Sequence, residues 1–500
     1  MKTLKILLSL IFFAGIIMTN INCAKGPEVT ELYQAESPLI TFRIQLSVGS
    51  INDPAGKEGL NALTAMTIGQ GGTIELTYQQ VLDKLYPWAA GINPQVDKEV
   101  TMFIGEVHKD HLDEFYKIFT DLILNPRFDE ADFARNKDLI INHLENSLRG
   151  TDDENLGKQA LNELIYENHP YRTTEVGTVQ GLKSITLEDV KSYYKRAYTK
   201  DNIIIGIAGG YRKSLVDKIK EDLEKLPSGK LEEAKLPEPA PIQNMEIMFV
   251  EKPARATAIS MGFPISLTRK DKDYYALMLV NSYFGEHRTF NGVLMNRLRG
   301  DRGLNYGDYS YIEHWIQEGG SRFQLPNTPR HQQYFSIWIR PVQPENAHFA
   351  IRNAMYELKS LVEKGMTEEQ FETTKKFLAN YSKLWVQTSS RRLGYQMDSE
   401  FYGTQFFVDR IEKELNAMKL ADVNNVIKKY LNAANIKVAI VCNDAKSLQE
   451  AMFNNSPSPI KYASPVAQKI LDEDKIIEVF PLEINKEKSK IVPAKELFEK

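Results

Sequence analysis

Apolar and polar residues alternate along Leu39-Ile-Thr-Phe-Arg-Ile-Gln-Leu-Ser-Val48, the period of two expected of a half-buried strand. The spacing changes to a helical one over 58–68, and Gly69 with the Gly71-Gly72 pair closes that helix. A second strand is predicted over 100–105 and an amphipathic helix over 112–124. The rhythm then restarts, with strands predicted over 245–250 and 256–261. Between the two stretches, 226–241 holds four prolines among charged residues and reads as an extended linker. Beyond Met452 the chain turns Asn- and Pro-rich. There 475–480 reads as a strand, and the remainder of that tail carries no assignment.

The restart is a repeat. Phe128-Asp-Glu-Ala-Asp-Phe-Ala-Arg-Asn-Lys137 has its counterpart in Met366-Thr-Glu-Glu-Gln-Phe-Glu-Thr-Thr-Lys375. Asp129 and Thr367 are the candidate N-caps, each with a capping partner three residues on. Phe133 matches Phe371, 238 positions later, and Asn202 matches Asn435, 233 positions later. Leu187-Glu-Asp-Val190 likewise matches Leu420-Ala-Asp-Val423. Two nearly equal offsets imply two tandem copies of one α+β domain. The expected fold is therefore two homologous sandwich domains, each an antiparallel-type sheet with helices on one face, joined by the Pro-rich linker. The boundaries read as a leader over 1–23, a first domain over 28–226, a linker over 227–244, a second domain over 245–455 and a tail over 456–500.

Composition adds little beyond an ordinary globular protein: 42% hydrophobic, 26% charged and a formal net charge of -4. Basic residues are interspersed with acidic ones, so no nucleic-acid footprint is present. The N-terminus differs. Lys2 and Lys5 precede an apolar run from Ile6 to Met18, then Thr19-Asn-Ile-Asn-Cys23. That order reads as a secretory signal, with export the expectation. Cys23 stands where a bacterial lipoprotein would be acylated, although Asn20 and Asn22 match that pattern poorly, and acylation stays open. No later stretch is long and apolar enough to span a membrane. The other cysteine, Cys442, falls in a run that reads as a buried strand, so neither a disulfide framework nor a cysteine zinc site is expected.

Candidate chemistry is sparse. Val293, Leu294 and Leu298 fall at helical spacing in 290–298, and Gly303 is placed to end that helix in a left-handed C-cap. Arg299 and Tyr306 then flank a tight helix-to-strand turn, where both could donate to one carbonyl or oxyanion. The competing reading makes Arg299 a solvated cation at a helix end and Tyr306 the start of a strand. His108 and His111 lie three apart at a helix start, without an evident third metal ligand. Tyr193, Tyr194, Tyr309, Tyr311 and Trp315 could line a peptide chamber or fill core. No phosphate-binding loop or nucleophile elbow is evident.

From about Pro38 to Met452 the order of markers resembles the pitrilysin/insulinase family of zinc peptidases, in its class with two domains per chain. The markers are Gly59-Leu60, Gly71-Gly72-Thr73, Asn125-Pro-Arg-Phe-Asp129, His169-Pro-Tyr171, Gly177 and the segment from Arg299 to Tyr306. In that family the helix after the Gly-Leu pair carries H-x-x-E-H, two zinc-binding histidines with a glutamate base. Here those positions hold Ala62, Ala65 and Met66, and the later ligand position falls at His143. Methyl and thioether groups do not hold a divalent zinc ion. The resemblance thus implies no metal in this chain, with zinc in a partner.

The same resemblance implies that Arg299 and Tyr306 hydrogen-bond the scissile carbonyl at a partner's zinc. Some bacterial relatives split the work between a zinc-bearing chain and one with the Arg/Tyr pair, and this sequence looks like the second kind. The implied protein is an exported, periplasmic or outer-membrane-anchored subunit of a bacterial peptidase. It pairs with a zinc-bearing homologous subunit and acts on peptides. A non-enzymatic peptide-binding or scaffold protein of the same fold is the alternative.

Overall fold

The computed structural model describes residues 28–232, 234–316, 321–462 and 464–500. The leader 1–23, with Cys23, lies outside them. Two sheets organise the chain. The first is built from β1 (Glu28–Tyr33), β2 (Leu39–Leu46), β3 (Gly91–Val96), β4 (Thr101–His108) and β5 (Ile203–Gly209), in the order β1-β5-β2-β4-β3. The second holds β6 (Met245–Glu251), β7 (Thr257–Ile265), β8 (Asp308–Tyr311), β9 (Gln333–Val342), β10 (Ile436–Cys442) and β11 (Lys490–Pro493), in the order β11-β6-β10-β7-β9-β8. Most neighbouring strands pair antiparallel. β1 runs parallel to β5, and β6 runs parallel to β10 and β11. The repeat read from the sequence is thus two sheet-and-helix domains.

Strand alternation explains where the helices go. On β2, Ile40, Phe42, Ile44 and Leu46 enter the core of their own half. That core takes in the helices Leu60–Gly69, Leu112–Leu124 and Leu187–Ala197, among others. The opposite face of each sheet is buried too, because each half lends the other a helix. Ser389–Phe401 of the second half lies on the first sheet, where Leu393 and Met397 pack with Met102 of β4 and Ala208 of β5. Gly206 of β5 makes room: a Cβ there would come 2.5 Å from the Met397 sulfur. Reciprocally, Asp153–Ile165 of the first half packs on β7 and β10 of the second sheet.

The two crossing helices begin 236 positions apart, between the repeat offsets of the other pairs, so they are equivalent elements exchanged across the middle. Ala439 and Val441 of β10 consequently join the first half's core, while Ile436, Val438, Ile440 and Cys442 stay in their own. Cys442 is buried as expected, and burial pushes its thiol up to about 12.

The C-terminal tail departs from expectation. The predicted strand at 475–480 is wrong: residues Gln468–Ile477 form a helix. Ile470, Asp474 and Ile477 are its buried positions, a spacing of four and three that puts them on one helical face. The chain then adds β11 to the edge of the second sheet and crosses to the first half. Leu497 and Phe498 enter the first core there, and Arg149 donates to the Leu497 carbonyl at 2.7 Å. The backbone amides of Val179 and Gln180 donate to Phe498 O and Glu499 O, each at 2.9 Å.

Candidate functional site

The helix Leu60–Gly69 starts from Gly59, held at φ 107°, and carries the positions where the family places its zinc ligands. Ala62 and Ala65 are buried, 2% and 0% exposed, and Met66 packs against the core. The neighbouring helix Glu130–Asn142 is pinned there by Asn136, which donates to the Met66 carbonyl at 3.2 Å. His143 follows that helix, exposed, and lines a cavity of about 380 Å³ between the halves. The donor set is therefore two methyls, a thioether and one exposed imidazole. These residues do not fit zinc.

A second group of ligand types comes together that the sequence did not reveal. Atoms of Asp97, Glu175 and His314 lie within 4.8 Å of one another. Two buried cations already occupy this site. Arg330 Nε donates to Asp97 at 3.0 Å, its Nη2 donates to Glu175 at 2.8 Å, and Lys98 Nζ sits 3.3 Å from Glu175. Burial, then the Arg330 charge, pushes His314 down to about 4, leaving the imidazole neutral at pH 7. Two carboxylates balanced by two cations leave no net negative charge for a divalent ion. The cluster is a clasp between the halves.

The segment around Arg299 is built differently. Leu294 and Leu298 are buried, and Met295–Gly300 forms a π-helical turn, where extra residues per turn often mark functional sites. Gly303, at φ 61°, closes it as expected. Its amide donates to Arg299 O at 2.9 Å, and Leu304 N donates to Leu298 O at 3.1 Å.

Three arginines stand on this turn, and two are consumed by carboxylates. Arg297 Nε donates to Glu357 at 2.8 Å and Nη1 to Asp301 at 2.7 Å, while Nη2 donates to Glu473. Arg302 Nε donates to Asp474 at 2.8 Å, Nη2 to Glu473 at 2.7 Å and Nη1 to the Arg297 carbonyl at 2.8 Å. Among the described residues the Arg299 guanidinium has no ion pair or hydrogen bond; it lies 5.1 Å from the centre of the Phe290 ring. Tyr306 is 81% exposed.

The loop bearing that phenol is held from within by Asn305. Its Nδ2 donates to Asp308 Oδ1 at 2.7 Å and to Arg340 O at 2.9 Å, and its Oδ1 accepts from Gly307 N at 3.1 Å. Burial pushes Asp308 up to about 8, with the Asn305 hydrogen bond and then the Arg299 charge acting against it. The geometry thus presents a cation without a side-chain ion pair and an exposed phenol, on either side of a turn whose loop is held by Asn305. Such a pair can donate to one oxyanion brought to the surface. Sequence reasoning missed Asn305, Glu473 and Asp474. The acidic run Asp472-Glu473-Asp474, beside a tripled arginine elsewhere, was the available signal.

The remaining candidates resolve into structure. Tyr193 donates to Asn61 at 3.2 Å and Tyr194 to Ile123 O at 2.6 Å, both within the first core. Tyr309 and Tyr311 are buried with Trp338 in a small cluster, against which Trp315 packs. His111 stacks on Trp88 at 5.2 Å, and His108 accepts from the Asp110 amide at 3.4 Å.

Comparison with known proteins agrees with this architecture. Residues 31–178 match the family described as Insulinase (Peptidase family M16), and residues 184–378 match the one described as Peptidase M16 inactive domain. The chain belongs to the M16 peptidase family. It is similar to the non-peptidase homolog YmxG of Helicobacter pylori, 23% identical over 432 residues, covering 85% of this chain and 94% of that relative. It is also similar to an uncharacterized zinc protease, YmxG of Bacillus subtilis, 21% identical and covering 72% of this chain and 82% of the relative. A solved peptidase M16 inactive domain from Pseudomonas fluorescens superposes with a TM-score of 0.73 at 20% identity, over 84% of this chain and 96% of that one.

Proposed function

We propose that this chain is a catalytically incomplete M16 subunit that pairs with a zinc-bearing homologue and lends Arg299 and Tyr306 to peptide hydrolysis in trans. The observation that carries the reading is the contrast among Arg297, Arg299 and Arg302. The outer two are locked to carboxylates and the middle one has no ionic partner, beside an exposed Tyr306.

In the paired enzyme, the guanidinium and the phenol donate hydrogen bonds to the scissile carbonyl as negative charge develops on its oxygen. One such donor is worth about 3–4 kcal/mol to the transition state. The names of the relatives point both ways, one a non-peptidase homolog and the other a zinc protease. Ala62, Ala65 and Met66 favour the first for this chain. Export rests on the basic and apolar pattern before Cys23 and belongs to the proposal.

The test is to purify the chain alone and with a candidate H-x-x-E-H homologue, and to assay peptide cleavage. The expected result is no cleavage alone, cleavage by the pair, and a loss of about 100-fold for Arg299→Ala in the pair, the rate equivalent of one lost oxyanion donor. Wild-type rates for both Arg299→Ala and Tyr306→Phe pairs would favour a scaffold role.

A further inference from the structure

The tail that the sequence left without a purpose reaches the candidate site. Glu473, on the helix Gln468–Ile477, accepts from Arg297 and from Arg302 at once, spanning the turn that carries Arg299. Asp474, one residue on, accepts from Arg302 Nε at 2.8 Å and from the Tyr462 hydroxyl at 2.6 Å. Arg302 closes the frame by donating to the Arg297 carbonyl at 2.8 Å. Both arginines are therefore tied, end to end, to a helix that lies more than 170 positions further along the chain.

That helix is itself fixed. Ile470 and Ile477 are buried, and Ile477 joins the core of the second half. Its remaining acid, Asp472, faces outward and meets only Gln468 and Lys475. Planar guanidinium forks hold carboxylates in defined geometry, so these contacts fix direction as well as distance.

We infer that the C-terminal helix is a positioning element for the Arg299/Tyr306 site, with Glu473 as its principal residue. The inference rests on the reading that Arg299 and Tyr306 act on a partner's substrate. Glu473 touches neither substrate nor reacting atoms; it acts by holding Arg297 and Arg302, and through them the orientation of Arg299. Misplacement of a donor by about 1 Å can cost on the order of 100-fold in rate, so loss of one of several braces should cost about tenfold.

The experiment measures kcat and KM for the reconstituted pair with Glu473→Gln, which keeps the shape and removes the charge. Arg302→Lys serves as a second variant with the cation retained and the fork lost, and Asp472→Asn as the outward-facing control. Thermal melting and affinity for the partner chain are measured alongside. The expected result is a kcat about tenfold lower for Glu473→Gln and Arg302→Lys, with KM and partner affinity unchanged and Asp472→Asn at the wild-type rate. If Arg299→Ala lowers the rate while Glu473→Gln and Arg302→Lys do not, the positioning role is overturned and the Arg/Tyr reading stands. If Arg299→Ala itself leaves the rate unchanged, the reading falls and the inference with it. Should Glu473→Gln fail to fold, Arg302→Lys alone decides between the first two results.

Discussion

The two halves share one architecture and treat their chemistry in opposite ways. In the first half the helix Leu60–Gly69 presents Ala62 and Ala65 to the interior, where they serve packing. In the second half the segment from Met295 to Arg302 places its apolar residues inside and pairs two of its three arginines with acids. It leaves the third to a surface that also shows Tyr306. In the first half, small buried side chains leave no space for a ligand.

The strongest way to break this comparison is to break what joins the halves. Arg330 and Asp97 are both fully buried and pair across the middle. Arg330→Ala leaves Asp97 uncompensated, and a loss of about 3–5 kcal/mol is expected, read as a large drop in thermal melting. Arg299→Ala should do the reverse. Melting should stay within about 0.5 kcal/mol of wild type because no ion pair is lost, while the rate of the reconstituted pair falls about 100-fold.

Restoring the motif by Ala62→His, Ala65→Glu and Met66→His sharpens the contrast. Space at Ala62 and Ala65 has closed, so overpacking should cost about 1–3 kcal/mol. Metal analysis should find no stoichiometric zinc, because Ala62 and Ala65 are buried and leave no room for the new side chains to converge on one ion. Stoichiometric zinc with chelator-sensitive cleavage would show that the first half retains a metal-ready pocket.

The smallest effect concerns pH. Asp308 is raised from 3.8 to about 8 in the folded state, so the native protein holds a proton that the unfolded chain releases. Its contribution is fully present below about pH 4 and is lost as pH rises through about 8. Asp308→Asn keeps the acceptor for Asn305 and cannot ionise. It should raise the melting temperature by a few degrees at pH 9 and leave it unchanged at pH 4, as calorimetry at the two pH values would show.

Sequence alone determined the repeat, the alternating strands and the absence of metal-binding side chains at Ala62, Ala65 and Met66. Periodicity reports burial of local elements, and a missing side chain is missing in any fold. It also placed Arg299 and Tyr306 on either side of a glycine-closed turn, because Gly303 signals its backbone locally. Local pattern could not disclose which helix covers which sheet: Asp153–Ile165 and Ser389–Phe401 look like any amphipathic segment until each is found on the other half. Nor could it separate Arg299 from Arg297 and Arg302. Much of that difference lies in Glu357, Glu473 and Asp474, the last two brought from the far end of the chain by packing of Ile470 and Ile477. Which cation is free depends on contacts between residues distant in sequence, and only the folded chain brings those together.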